Sequence, residues 1–283
     1  AAQLPLCIQR AIGRLLGCLA YCLLTTRRQI ATINIKLCFP EFSSAQQQRL
    51  IRRTFQSNAI GLLEAASSWF TKVSRFHPIT SANGIENLLE AQRSGKGVIL
   101  LGGHFTTLDL GGLLFSTYAK AGAVQRDHDD PLFNLVMTKS RLRYCERLFS
   151  KHDLRGIIKW LKEGNTLWYA TDQDYGRRSS VFAPFFNVPT ATLTTTARIA
   201  MKTDAIVIPY SHFRTNNGHY ELYFGRALQN YPSGDDCQDA AQTNKILEQA
   251  IRLRPDQYLW LHRRFKTRPN QHDQNPYTQQ KLT

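Results

Sequence analysis

The sequence has no cysteine pair at C-x-x-C spacing, no H-E-x-x-H, and no other cluster of His, Cys, Asp or Glu at metal-ligand spacing. Its six cysteines, Cys7, Cys18, Cys22, Cys38, Cys145 and Cys237, are scattered along the chain and read as reduced packing residues rather than a disulfide framework. Neither a structural nor a catalytic metal is expected. Internal repeats and low-complexity tracts are missing too, which excludes solenoids and arrays. Acidic residues are scarce: 21 Asp and Glu face 36 Lys and Arg, a net charge of +15. A field of that sign suits nucleic acid, an anionic lipid surface or an acidic protein, and composition does not choose among them. With 283 residues, 42% of them hydrophobic and 11% aromatic, the chain can bury a large core in one main domain with additions.

An uninterrupted apolar run of about 20 residues, the length of a membrane span, is also lacking. Residues 4–24 read LPLCIQRAIGRLLGCLAYCLL, where Arg10 and Arg14 break the run. Ile8, Ile12, Leu15, Leu19 and Leu23 recur at helical spacing, with Arg10, Arg14, Gly17 and Tyr21 on another face, so the segment is expected to form an amphipathic helix. Such a helix either lies on a membrane or packs on the domain, and the pattern leaves both open. No signal-peptide cleavage signature is visible, and a longer hydrophobic segment ahead of Ala1 is an expectation. Ser43 or Ser44 is placed to cap a helix running toward Trp69, which makes the first 75 residues or so mostly helical.

Beyond that point the pattern changes to short apolar runs at 98–101, 166–170, 205–210 and 220–224, separated by helical stretches. This alternation predicts an α/β fold with a mostly parallel central sheet flanked by helices. The Gln- and Asn-rich end, 270–283, reads as a frayed tail.

The chemistry centres on GGHFTTLDLGG, residues 102–112, entered directly from the apolar run 98–101. A histidine held by a carboxylate can take a proton from a hydroxyl near neutral pH, which suits acyl or phosphoryl transfer to an alcohol. His104 and Asp109 are five apart and would diverge by about 140° on a regular helix. They can meet only if His104 sits in the turn leaving a strand while Thr106 or Thr107 caps a helix whose first turn carries Asp109. The glycines are expected to let substrate approach the backbone. The alternative is a surface or capping role for the pair.

Three further segments carry polar groups. In KSRLRYCERL, residues 139–148, Arg141 lies either beside the site or on a solvated face. ATDQDYGRRSSVFAPFF, residues 170–186, follows an expected strand. Ligands of parallel sheets gather at the carboxyl ends of strands, so Asp172, Asp174, Arg177 and Arg178 could face His104, or form only a polar turn. In QYLWLHRRFKTRP, residues 257–269, Arg263, Arg264, Lys266 and Arg268 stand among aromatics, a stripe suited to phosphate head groups or a nucleic-acid strand.

Taken in order, GGHFTTLDLGG, SRLR, DQDYGRRSSVF and WLHRRFKTRP, with INIKLCFPE ahead of them, resemble the late acyltransferases of lipid A biosynthesis, the lauroyl and myristoyl transferases of Gram-negative bacteria. These sit within the wider lysophospholipid and glycerol-phosphate acyltransferase group, which shares a His-x4-Asp pair. Gly103 before His104, and DQDYGRRSS in place of an FPEGTRS-like segment, favour the lipid A branch. The resemblance implies a glycerol-phosphate-acyltransferase-like fold. It implies a catalytic pair of His104 as general base and Asp109 as its orienting carboxylate, with Asp109 standing where many relatives carry Glu. It assigns Arg141, Asp172, Asp174 and Arg178 to substrate binding, while Arg177 stands where a Pro is commoner.

The implied reaction moves a fatty acyl chain from an acyl carrier protein thioester to the hydroxyl of a 3-hydroxyacyl chain on a lipid A precursor. No cofactor and no metal enter, and no nucleic acid is a partner. Arg141 or Arg178 is expected either to stabilise the oxyanion or to hold phosphate. The implied location is the cytoplasmic face of the inner membrane. The expected organisation is a membrane-associated helix at 1–28, a helical region packed on the core at 29–78, a catalytic α/β core at 79–269 and a tail at 270–283. The rival readings are a glycerolipid or lysophospholipid acyltransferase and a non-enzymatic basic membrane-binding protein.

Overall fold

Three helices lead the chain: α1 (Leu6–Leu23), α2 (Thr25–Cys38) and α3 (Ser44–Phe70). The computed structural model describes residues 2–270 and 272–278. Ser43 starts α3 as expected: its hydroxyl accepts from the Gln46 N–H, and the Gln46 side chain accepts the Ser43 N–H at 2.7 Å. Two of the donors that a helix start leaves unpaired are thereby satisfied reciprocally.

Helix α1 packs with its small and polar face inward. Gln9, Gly13 and Gly17 are buried, and Ser67 of α3 donates to Gln9 Oε1 at 2.8 Å. The backbones of α1 and α3 meet so closely that a Cβ on Gly17 would stand 2.4 Å from Gln56 Cα. Arg10 donates to the Gly218 carbonyl at 2.6 Å and covers the Tyr220 ring. The apolar stripe points outward, with Leu15 63% and Leu23 75% exposed and Ile8, Ile12 and Leu19 exposed beside them. Both readings of this segment therefore hold a part: one face packs, and the face richest in leucine does not. By length and composition the 18 residues, with a mean hydropathy of 1.4, are sufficient to cross a membrane, so the two arginines do not disqualify the segment. Gly17→Leu has no room for its side chain without moving backbone, and is expected to cost about 1–3 kcal/mol. The check is hydrogen exchange: α1 amides should exchange faster in the variant, and unchanged protection would mean that the helices do not meet at Gly17.

After α3 come β1 (Thr80–Asn83), α4 (Ile85–Arg93), β2 (Val98–Gly102), α5 (Leu108–Phe115), β3 (Gly122–Gln125), α6 (Pro131–Arg141), β4 (Arg147–Ser150), α7 (Leu154–Lys162) and β5 (Thr166–Ala170). The chain continues through β6 (Ser180–Phe185), β7 (Val188–Leu193), α8 (Thr195–Thr203), β8 (Ile206–Arg214), β9 (Tyr220–Phe224) and α9 (Asp236–Leu253). Seven strands form one sheet in the order β1-β9-β8-β2-β5-β3-β4, and β6 and β7 form a separate antiparallel hairpin. Every neighbouring pair in the large sheet is parallel except β8 with β9. Strand β2 lies between β5 and β8 and is buried along its whole length, as expected of a central strand covered by helices on both faces.

The helical leader is tied to this sheet through a buried cluster. Arg214 of β8 pairs with Glu64 of α3, and Tyr220 of β9 donates to the same carboxylate at 2.7 Å. At the other end of the chain, the expected fraying does not extend through Tyr277, whose hydroxyl accepts the Phe265 N–H at 3.0 Å and donates to Asn34 Oδ1. Residues 271 and 279–283 of the expected tail lie outside the described residues. All six cysteines are free, but only Cys38 is buried, while Cys7, Cys18, Cys22 and Cys237 are exposed. The packing role expected for them fails for those four.

Candidate active site

The site follows from strand register. Gly102, the last residue of β2, pairs with Ala170, the last residue of β5, and two residues beyond each lie His104 and Asp172. They meet twice: His104 Nδ1 stands 2.6 Å from Asp172 Oδ1, and the His104 backbone N–H donates to Asp172 Oδ2 at 2.8 Å. On the other side of β2, Leu101 pairs with Pro209 of β8, and three residues on, His212 comes level with His104. The carboxyl ends of adjacent parallel strands thus supply the polar groups.

Because a carboxylate only accepts, the Asp172 contact places a proton on Nδ1 and leaves Nε2 of His104 with its lone pair. The side chain is 25% exposed and lines a cavity of about 970 Å³. Burial alone would lower the imidazole pKa, but the charge and hydrogen bond of Asp172 outweigh it and raise His104 above its usual value. Asp172 is fully enclosed, which opposes ionisation, yet His104 and its hydrogen bonds pull it down to about 2.

Asp109 is placed differently from expectation. It does sit in the first turn of α5, but its carboxylate faces α3 and α6. Arg141 grips it with Nε on Oδ1 at 2.7 Å and Nη2 on Oδ2 at 3.1 Å. Trp69 and the Tyr144 hydroxyl also donate to Oδ1, at 3.1 and 3.0 Å. Burial would raise the Asp109 pKa, but Arg141 and these donors hold it below the usual carboxylate range. The carboxylate on the imidazole is therefore Asp172 rather than Asp109, because sheet register sets the first contact while the start of α5 turns the second away. Arg141 is correspondingly engaged: besides Asp109 it donates through Nη1 to Gln125 at 3.3 Å.

Asp174, expected to bind substrate, instead ties down the chain. Its oxygens accept from the Thr267 N–H at 2.7 Å, the Thr267 hydroxyl at 2.8 Å and the Gly176 N–H at 2.9 Å. Arg178 is exposed and lines the cavity together with the exposed Arg126, Lys151 and His152. In the terminal stripe, Arg264 turns inward to the Ala191 carbonyl and lies over the Phe185 ring, while Arg263 and Lys266 stay exposed. The glycines of 102–112 admit side chains of the fold rather than substrate. A Cβ on Gly102 would strike Trp168, and one on Gly111 would strike the His212 ring at 2.5 Å.

Two histidines escaped the sequence reading. His212 is buried, its Nδ1 stands 2.8 Å from the Thr107 hydroxyl, and burial pushes its pKa down to about 4. Thr107, expected as a cap for α5, spends its hydroxyl there. His262 accepts the Asp174 N–H at Nε2, at 3.2 Å, and also lines the cavity. The signal for His212 was its place in the register beside His104, which requires knowing that β8 neighbours β2.

Behind this polar cluster the cavity wall is apolar, with Leu100, Phe115, Ala121, Met137, Leu148 and Trp168. The arrangement offers an imidazole base, a basic entrance and a deep apolar slot, which together fit transfer of a lipid-like group to a hydroxyl.

The model of the family described as bacterial lipid A biosynthesis acyltransferase matches residues 1–267. The chain is 37% identical over 269 residues to the lipid A biosynthesis palmitoleoyltransferase of Escherichia coli K12, covering 94% of this chain and 88% of that one. It is 38% identical to the lauroyltransferase of the same organism over the same shares. To a lipid A biosynthesis acyltransferase of Haemophilus influenzae it is 35% identical, covering 95% and 87%. The crystal structure of a 1-acyl-sn-glycerophosphate acyltransferase from Thermotoga maritima aligns with a TM-score of 0.39 at 17% identity, covering 86% of this chain and 95% of that one. The chain belongs to the bacterial lipid A biosynthesis acyltransferase family and is an acyltransferase.

Proposed function

We propose that the cavity holds the fatty acyl chain of an acyl carrier protein thioester and that His104 takes the proton of a 3-hydroxyacyl hydroxyl on a lipid A precursor. The observation that carries this reading is the His104–Asp172 contact, which leaves Nε2 bare on a ring that lines a cavity with apolar walls and exposed basic residues. The hydroxyl oxygen attacks the thioester carbon as its proton moves to Nε2. The C–S bond then breaks, and the same proton passes to the departing sulfur. No covalent acyl-enzyme is needed. Proton transfer from a positioned imidazole typically contributes about 10² to 10⁴ in rate.

The exposed Arg126, Lys151 and Arg178 are suited to precursor phosphates, and the +15 charge to an acidic carrier; both attractions weaken with salt. The outward stripe of α1 is apolar surface that water does not favour and lipid does. It supports a location at the cytoplasmic face of the inner membrane, where soluble donor and lipid acceptor meet.

The test is product analysis. Purified enzyme is given acyl carrier protein loaded with lauroyl, myristoyl or palmitoleoyl groups, and either a lipid A precursor or lysophosphatidate, and the products are weighed by mass spectrometry. Acylation of the precursor is expected. Preferred acylation of lysophosphatidate would overturn the acceptor assignment in favour of a glycerolipid enzyme.

A further inference from the structure

With Arg141 committed to Asp109, the thioester oxygen needs another donor, and the geometry points to the Nδ1–H of His262: we propose that it binds the oxyanion formed during transfer. The inference rests on the acyl-transfer reading of the cavity given above. The Asp174 N–H donates to His262 Nε2, so Nε2 must be the bare nitrogen, and a neutral ring then carries its proton on Nδ1. Among the described residues Nδ1 has no hydrogen-bond partner, and the ring is part of the wall that also contains His104.

The ring is also placed by the catalytic segment itself. The Leu259 N–H, three residues before His262, donates to the His104 carbonyl at 3.0 Å, and the Thr106 N–H donates to the Gln257 carbonyl at 2.7 Å. The turn around Tyr258 and the His104 loop are therefore one unit, with Phe105 and Tyr258 bridged. From the opposite side, Asn34 of α2 donates to the Trp260 and His262 carbonyls, both at 2.7 Å. Burial, together with the nearby positive charge of Arg264 and His104, lowers the pKa of His262 despite Asp172. The ring is thus kept a neutral donor while His104 gains its proton.

In the step itself, the acceptor oxygen bonds to the acyl carbon and its proton goes to His104 Nε2. The carbonyl π pair moves onto oxygen, which is met by Nδ1–H of His262. That pair returns as the C–S bond breaks, the sulfur keeps the bonding electrons, and His104 protonates it. A donor fixed before the reaction is worth more in such a site than one that must reorient.

Two substitutions separate this role from a structural one. Glutamine places its amide oxygen where Nε2 was, so His262→Gln keeps the acceptor for Asp174 and has nothing at Nδ1. Asparagine places its NH2 where Nδ1 was, so His262→Asn keeps the donor and loses the acceptor. With acyl carrier protein thioester and lipid A precursor, His262→Gln is expected to lose about 10² to 10³ in kcat at unchanged KM, and His262→Asn to stay within about tenfold of the parent. A glutamine variant as active as the parent, or more active than the asparagine variant, overturns the proposal and assigns His262 to holding Asp174. Equal loss in two folded variants overturns it as well. If the glutamine variant does not fold, the asparagine variant decides alone, and a hundredfold loss in it rejects the donor role. His104→Ala in the same assay separates the two levels: its activity surviving would remove the reading of the site, whereas its loss beside an active glutamine variant removes only the donor.

Discussion

Asp172→Asn is expected to lower kcat by about 10⁴-fold, a loss of the size seen when the orienting carboxylate of a hydrolase triad becomes an amide. Asp172 makes two contacts with one residue, accepting from the His104 backbone N–H and from Nδ1. A backbone N–H can only donate, so the asparagine oxygen must stay with it. The NH2 then faces Nδ1, which has to accept, and the ring proton moves to Nε2. The base is gone while the fold is nearly unchanged. In the parent, transfer should rise with pH as His104 loses its proton through a pKa held above its usual value by Asp172. In the variant that support is removed while burial remains, so whatever activity survives should have its acid limb at lower pH. The comparison is with Asp109→Asn in the same assay. If the Asp109 variant loses about 10⁴-fold while the Asp172 variant keeps more than a tenth of its activity, the assignment of the orienting carboxylate made from register is wrong.

Why Asp109, and not the carboxylate in contact with the imidazole, stands out in the sequence is a matter of range. His104 and Asp109 are close in the chain, and a local turn could have joined them. The contact with Asp172 spans 68 residues and exists only because β2 and β5 are adjacent and in register, a pairing that no local pattern specifies. The apolar runs at 98–101, 166–170 and 220–224 were legible since their β-branched and aromatic residues cross a buried sheet. Strand β1, TSAN, and strand β4, RLFS, are four residues each and carry little of that signal. The hairpin of β6 and β7 contains Pro184 and Pro189 opposite each other, which by sequence argues against strands, and as a two-stranded unit it tolerates them. Helix α1 was legible as a helix, but its packing face was not. Hydrophobic periodicity assumes that apolar residues face the core, and here Gly13 and Gly17 do so while Leu15, Leu16, Leu19 and Leu23 face out.

Removing either partner of the Asp109–Arg141 pair is expected to destabilise the fold by about 3–5 kcal/mol, with most of that loss recovered when both are replaced by apolar residues. The side chains are 12% and 19% exposed, so little water reaches them. In Asp109→Leu the guanidinium keeps only Gln125, and Trp69 and Tyr144 lose their shared acceptor. In Arg141→Met the carboxylate keeps two neutral donors but no countercharge. The double variant leaves no charge behind and should unfold in urea much nearer to the parent than the sum of the single losses implies, giving a large coupling free energy. Additive losses would mean that the two residues do not act as a pair. The sign with pH follows from Asp109, whose folded pKa lies below its unfolded one: its contribution is complete above the ordinary carboxylate pKa near 4 and fades as pH falls through the depressed value. The single Arg141→Met variant should show less of that acid-side fading, because the largest cause of the depression has been removed. Since Trp69 lies in the last turn of α3 and Tyr144 follows α6, the pair also fixes the cavity wall. Its loss should therefore raise KM for the longer acyl donors more than it lowers kcat, the reverse of the pattern expected at Asp172.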